Sequence, residues 1–233
     1  KGAHNKIGIT WDAQFKWKPA KDNTIDFLVE VLQTKNNKGI YSDKIGYTYN
    51  DYMGTKKLVK YKTLILKTGF NPSMHKKINP CTMMIEGKEL SFNHKEYISK
   101  EFQPNFPEDK EAYLANIEIK GNTNNERMLC IKDNNEIETN MIIEMSYDKN
   151  KEQKWRWIPR NVRYDKTAQL RNGDCQYGNP FHVAESIWKS YHNPISEEMI
   201  TTGNNIPDET QEEEVYYSRI ISRNKSETKP MLD

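Results

Sequence analysis

Short apolar runs, each closed off by turn-forming residues, mark the first two thirds of the chain. Residues 25–32, 61–67, 112–119, 128–131 and 141–147 have the length and the β-branched or aromatic content of strands. Leu114, Ile117 and Ile119, with Ile142, Ile143 and Met145, are candidate core positions. Polar stretches at 34–54, 71–88, 103–111 and 121–126 read as linkers between them. Short strands with long polar connections predict a mainly β fold with α, built on a small barrel with polar insertions.

The period changes after residue 178. Asn179-Pro180 reads as a helix cap followed by a first-turn proline, and Phe181, Ala184, Ile187, Trp188 and Tyr191 recur at helical spacing as one apolar stripe. His192-Asn193-Pro194 ends that helix. Ser196 with Glu197 and Glu198 predicts a second one that stops near Gly203. Beyond it, Asp208 to Glu214 is an acidic run of the kind found in solvated linkers.

Two short runs stand out for their cations. In Phe15-Lys16-Trp17-Lys18-Pro19 an extended backbone would put Lys16 and Lys18 on one face, with about 6–7 Å between them. Such a pair suits a phosphate that gains charge during transfer; the same lysines would also serve as a protected strand edge. Asn23-Thr24-Ile25-Asp26-Phe27 follows directly. In Trp157-Ile158-Pro159-Arg160-Asn161-Val162-Arg163-Tyr164-Asp165-Lys166-Thr167, alternation predicts a strand that carries Arg163 and Asp165 on one face. The planar fork of Arg163 fits bidentate phosphate contact, Lys166 adds a point charge, and Asp165 would hold the arginine or bind a ribose or water. An exposed Arg–Asp pair serving the fold alone would be worth little.

Together and in this order the two runs resemble motifs V and VI of the covalent nucleotidyltransferases, the mRNA guanylyltransferases and polynucleotide ligases. The variants here are most similar to the capping enzymes of large DNA viruses, and residues 182–200 resemble the helical segment that follows motif VI in that branch. The resemblance implies an oligonucleotide-binding (OB) barrel, preceded by the last strands of a nucleotidyltransferase domain and followed by C-terminal helices. It implies domains at 1–30 (end of the nucleotidyltransferase domain), 31–170 (OB barrel, motif VI at 157–167), 171–204 (helical segment) and 205–233 (linker toward a guanine-N7 methyltransferase domain). It implies transfer of GMP from GTP to the 5′-diphosphate end of mRNA. Lys16 and Lys18 would act at the α-phosphate, with Arg163, Asp165 and Lys166 at the β- and γ-phosphates. The family has an arginine where this chain has Asn161. Either a bulge lets the neighbouring Arg160 join the phosphate-binding set, or the clamp has lost one cation.

The Lys-x-Asp-Gly tetrapeptide that carries the family's lysine nucleophile is absent from these residues. The chain therefore reads as an internal piece of a longer enzyme, inactive alone. Magnesium is implied with ligands outside it, and S-adenosylmethionine only for the adjoining methyltransferase domain. Two other readings stay open: a fragment of a polynucleotide ligase, or a non-catalytic single-stranded RNA-binding module that stacks bases on Tyr47, Tyr49, Trp155 and Trp157. For Trp157, core packing is the favoured role.

Composition narrows this further. With 35 basic and 33 acidic residues among 233, the formal charge of +2 points to local cationic sites rather than a bulk polyanion binder. Hydrophobic residues make up 35%, so the core should be modest. Cys81, Cys130 and Cys175 are odd in number and widely spaced, which predicts neither a disulfide framework nor a zinc site. No apolar stretch approaches a membrane span. These features predict an intracellular protein without a membrane partner, located in a virion or a host cytoplasmic factory if the viral resemblance holds.

Overall fold

The computed structural model describes residues 18–37, 39–52, 55–71, 97–121 and 125–203. Strands β1 (Ile25–Val31), β2 (Gln33–Lys35), β3 (Tyr41–Asp43), β4 (Ile45–Tyr52) and β5 (Thr55–Phe70) come first. They are followed by β6 (Ile98–Glu101), β7 (Leu114–Lys120), β8 (Arg127–Met128), β9 (Met141–Tyr147) and β10 (Trp157–Val162). Among the described residues eight of these form one antiparallel sheet in the order β10-β9-β1-β5-β7-β8, with β4 and β6 pairing along the long β5. Among the described residues β2 and β3 pair only with each other.

Alternation explains the inner face. Ile25, Phe27 and Val29 of β1, Leu64 and Leu66 of β5, and Ile143 and Met145 of β9 are all fully buried there. The sheet curls on itself beyond β8, where Ile131 N–H donates to Pro159 O at 2.9 Å and Lys132 N–H to Arg160 O at 3.2 Å. The result is a mainly β protein with a curled sheet and C-terminal helices, consistent with an OB-like fold.

Aromatic rings fill the curl. Phe27 meets Trp157 edge-on with centroids 4.9 Å apart, and Tyr147 lies 4.9 Å from both Trp157 and Trp188. The indole N–H groups are satisfied by backbone, Trp157 through Ala112 O at 2.7 Å and Trp188 through Pro107 O at 3.0 Å. Helix α1 spans Tyr164–Asn172 and α2 spans Phe181–His192. The stripe on α2 is as its spacing predicts: Phe181, Ala184, Trp188 and Tyr191 are buried and Ile187 packs partly against them.

Several expectations change. Residues 34–54, read as a linker, hold β2, β3 and β4. The run 128–131 contributes only the end of the two-residue β8. Motif VI is not one strand: β10 stops at Val162, and Arg163 is the N-cap of α1. Asn179 does not cap α2, whose N-cap is Pro180. Instead its side-chain oxygen accepts from Asp26 N–H at 2.7 Å and its own N–H donates to Asp26 O at 2.7 Å. Residues 25–30, assigned by resemblance to the preceding domain, form most of the strand between β5 and β9.

The chain divides into two units, Lys1–Pro194 and Ile195–Asp233. In the second, α3 (Glu197–Thr202) is capped by Ser196, whose Oγ accepts from Met199 N–H at 3.1 Å, and it ends at Gly203 with φ +70°. Among the described residues, no helix is long and apolar enough to cross a membrane.

Candidate phosphate-handling site

The outer face of the sheet carries a polar row. Register places Asn161 of β10 beside Glu144 of β9, and Glu144 beside Asp26 of β1. Two carboxylates as direct cross-strand neighbours repel one another unless donors and cations hold them. Glu144 accepts from Asn161 Nδ2 at 2.7 Å and from Thr24 Oγ1 at 2.7 Å. Asp26, only 8% exposed at its side chain, takes both cations of motif VI on one oxygen: Arg163 Nη1 at 2.5 Å and Lys166 Nζ at 2.7 Å.

The turn from β10 into α1 makes this convergence possible. Arg163 N–H donates to Ile142 O at 2.8 Å, and Thr167, buried on the first turn of α1, accepts from Ile142 N–H at 3.0 Å. The helix start thus folds Arg163, Asp165 and Lys166 together over β9. Asp165 closes the fork of Arg163 with two bonds, 3.1 Å to Nε and 2.8 Å to Nη2. This bond is the main reason its carboxyl lies at about 2, and the same bond raises Arg163. For Glu144, burial pushes the carboxyl up, but the bonds from Asn161 and Thr24 and the charges of Arg163 and Lys132 outweigh it, and the net shift is downward. The side chain of Asp165 is 62% exposed, whereas Asp26 is enclosed. An incoming anion can therefore replace Asp165 on the fork while Asp26 keeps both cations in position.

Glycine is required at one place here. A Cβ on Gly178 would lie 2.2 Å from Asp26 O, so the chain from Cys175 to Asn179 reaches the Asp26 backbone only without a side chain. Gly178 O in turn accepts from Lys166 Nζ at 3.4 Å.

Of the residues singled out by sequence, Arg163, Asp165 and Lys166 come together. Lys18 is exposed, in non-strand backbone ahead of a short 3₁₀ turn at Ala20–Asp22. Lys16 lies outside the described residues, as does Cys81. Arg160 stands at a β-bulge: the register with β9 slips between Pro159 and Asn161. It lines a separate cavity that contains neither Arg163 nor Lys166. The RNA-stacking aromatics split as well. Tyr47 and Tyr49 are exposed, Trp155 packs edge-on against Tyr61 at 5.2 Å, and Trp157 is buried. Asp26 is the partner the motif reading did not supply; its position on the same face as Glu144 follows only from the strand register.

The chain is 27% identical over 192 residues, 81% of its length, to a protein named probable mRNA-capping enzyme from Acanthamoeba polyphaga mimivirus. It is 27% identical over 194 residues, again 81% of its length, to a protein named mRNA-capping enzyme from African swine fever virus. The aligned part covers 13% of the first relative and 19% of the second, so the chain spans less than a fifth of either. The resemblance to capping enzymes of large DNA viruses therefore extends over most of this chain. No protein-family profile matches it, and no solved structure does.

Proposed function

We propose that this chain is the motif V to motif VI part of a viral-type mRNA capping guanylyltransferase. The observation that carries the reading is the convergence of Arg163, Asp165 and Lys166 on Asp26 in a chain similar to viral capping enzymes over 81% of its length. In the implied reaction a lysine amine, supplied by a Lys-x-Asp-Gly element not present in these residues, attacks the α-phosphorus of GTP. A P–N bond forms as the bond to pyrophosphate breaks. A terminal phosphate oxygen of the RNA diphosphate then displaces the lysine, which leaves GMP on the RNA. Lys16 and Lys18 would meet the α-phosphate. Arg163 would exchange Asp165 for an oxygen of the departing pyrophosphate, with Lys166 beside it, and such preset charges act mainly by electrostatic stabilisation.

Magnesium would neutralise phosphate charge in this reaction. On this reading its ligands lie outside this chain, and no step here runs through it. S-adenosylmethionine would serve only an adjoining methyltransferase domain. A virion or host cytoplasmic factory is the location that goes with this reading.

The test is label transfer from α-³²P GTP with magnesium, using the chain alone, a fusion to the nucleophile-bearing half of a related enzyme, and that fusion carrying Arg163→Ala with Lys166→Ala. Labelling confined to the unsubstituted fusion is expected. Equal labelling in both fusions would sink the clamp assignment, and transfer of AMP in place of GMP would favour a polynucleotide ligase.

A second reading, a binding module for single-stranded RNA, is favoured by the β4–β5 hairpin. Its register sets Tyr47 opposite Lys60 and Tyr49 opposite Leu58, and Tyr47, Tyr49 and Leu58 are all more than half exposed. Loss of RNA binding on Tyr47→Ala with Tyr49→Ala would support that role.

A further inference from the structure

The clamp itself carries no excess of positive charge. Asp26, Glu144 and Asp165 surround Arg163 and Lys166, so this cluster carries more acids than bases. The excess of positive charge lies in a neighbouring cavity of about 400 Å³ between the segment that follows motif V and the bulge in motif VI. Lys21, Lys149 and Arg160 line it, all three exposed, against a single carboxylate, Asp148. That carboxylate is already turned to its own loop, where Oδ1 accepts from Asn150 N–H at 3.0 Å. No ion pair engages Lys21, Lys149 or Arg160 among the described residues.

Alternation along β10 puts Arg160 on the same face as Ile158, whose partner Ser146 also lines the cavity, and the bulge brings Asn161 to that face as well, beside Glu144. In a regular strand Arg160 would alternate with Asn161. Two residues, Pro159 and Asn161, instead bracket a single step on β9, and Arg160 is the extra one. Its backbone is tied by the Lys132 N–H to Arg160 O bond, which fixes the base of the side chain beside the cavity. Ile158 and Tyr191 supply apolar wall beside the cations, and Ser146 a hydroxyl. Three unpaired cations next to apolar surface, in a volume within the roughly 300–1,000 Å³ range of small-ligand sites, suit a nucleotide with its phosphate rather than an inorganic ion.

We propose that this cavity binds phosphate groups of single-stranded RNA, the strand to be capped, at a site distinct from the Arg163–Lys166 clamp. The proposal rests on the capping reading for its ligand, while the site itself rests on the lining of the cavity and its charge imbalance. RNA phosphates could come from the 5′ end or from internal linkages.

The test is fluorescence anisotropy on the 233-residue chain with three probes: a labelled RNA decamer bearing a 5′-diphosphate, the same decamer with a 5′-hydroxyl, and labelled GTP. Arg160→Ala with Lys149→Ala should weaken diphosphate RNA about tenfold and flatten its salt dependence by about 0.7 log unit per lost phosphate contact, with GTP unchanged. A loss confined to diphosphate RNA assigns the pocket to the 5′ end, and an equal loss for both RNAs assigns it to internal phosphates. Unchanged RNA binding overturns the proposal, and so does a parallel loss of GTP, which would merge the cavity with the clamp. Arg160→Lys with Lys149→Arg, which keeps both charges, should bind RNA nearly as the parent and so guards against misfolding. Arg163→Ala with Lys166→Ala separates the two readings. If it spares GTP while the cavity variant still loses RNA, the clamp fails and the cavity stands.

Discussion

Asp26 holds two cations on one oxygen, and this makes it the residue on which the site depends. Removing its charge leaves Arg163 and Lys166 partly buried, with Asp165 and Gly178 O as the remaining hydrogen-bond partners among the described residues. Hydrogen bonds to charged groups contribute about 1.5–3 kcal/mol, so Asp26→Asn should lower the unfolding free energy by roughly that amount in urea titration. A loss below about 0.5 kcal/mol would mean that solvent replaces the carboxylate freely, as at exposed ion pairs. The thiols make a second contrast at this scale. Cys130 is buried, and desolvation pushes its thiol up to about 12, whereas Cys175 is only half buried and shares its sulfur with Tyr177 O at 3.3 Å. In the native protein a thiol reagent at pH 8 should therefore modify Cys175 well before Cys130, read by peptide mass mapping. Faster labelling at Cys130 would contradict its burial.

At the scale of elements, legibility followed burial. The run 141–147 coincides with β9, and 25–32 overruns β1 by one residue, because these central strands put apolar side chains on the core at every second position. β3 and β4 escaped notice because Tyr41, Ile45, Tyr47 and Tyr49 stay exposed and the hairpin is held by cross-strand pairs and ladder bonds instead. α1 escaped for a related reason: only Thr167 is buried in it, so no apolar stripe marks its period. The motifs named Arg163, Asp165 and Lys166, but their pairing with Asp26 crosses 137 residues in sequence and depends on strand register. A bulge was read only as a way for Arg160 to join the clamp, whereas it accompanies an Arg160 that lines a separate cavity; that cavity was not legible, since Lys21 and Lys149 belong to no motif. α2 was legible in full, and its anchor is testable. Trp188 is 1% exposed and touches Phe102, Tyr147 and Trp157, so Trp188→Ala should cost about 3–5 kcal/mol and release the helix from the sheet. Amide exchange in 181–192 should then rise above that of β9; uniform exchange would mean that helix and sheet open together. Gly178→Ala forces a Cβ against Asp26 O and should shift the Asp26 and Lys166 resonances even where the fold survives.

For the first unit as a whole, the polar row across β10, β9 and β1 ties stability to pH. Glu144 and Asp165 both lie below their ordinary range when folded, Asp165 at about 2, and Asp43 is lowered separately by its bond from Lys62. A carboxyl whose folded pKa is depressed contributes its stability in full above the unfolded value, roughly 4, and loses it as pH falls through the folded value. Unfolding free energy from urea titration should thus be level between about pH 7 and 5.5 and decline from about pH 5 toward 2. The exposed Asp165 adds little to that slope, because solvent screens its pair with Arg163, and the more enclosed Glu144 adds more. Arg163→Ala removes a cation common to both, so the decline should become shallower while the contribution of Asp43 persists. In the same variant the Asp165 carboxyl, followed by carbon NMR, should move from about 2 toward its unperturbed value near 3.9. An unchanged acid slope together with an unchanged Asp165 midpoint would show that Arg163 does not hold these carboxylates in solution. The fork would then stand open to phosphate without any exchange of partners.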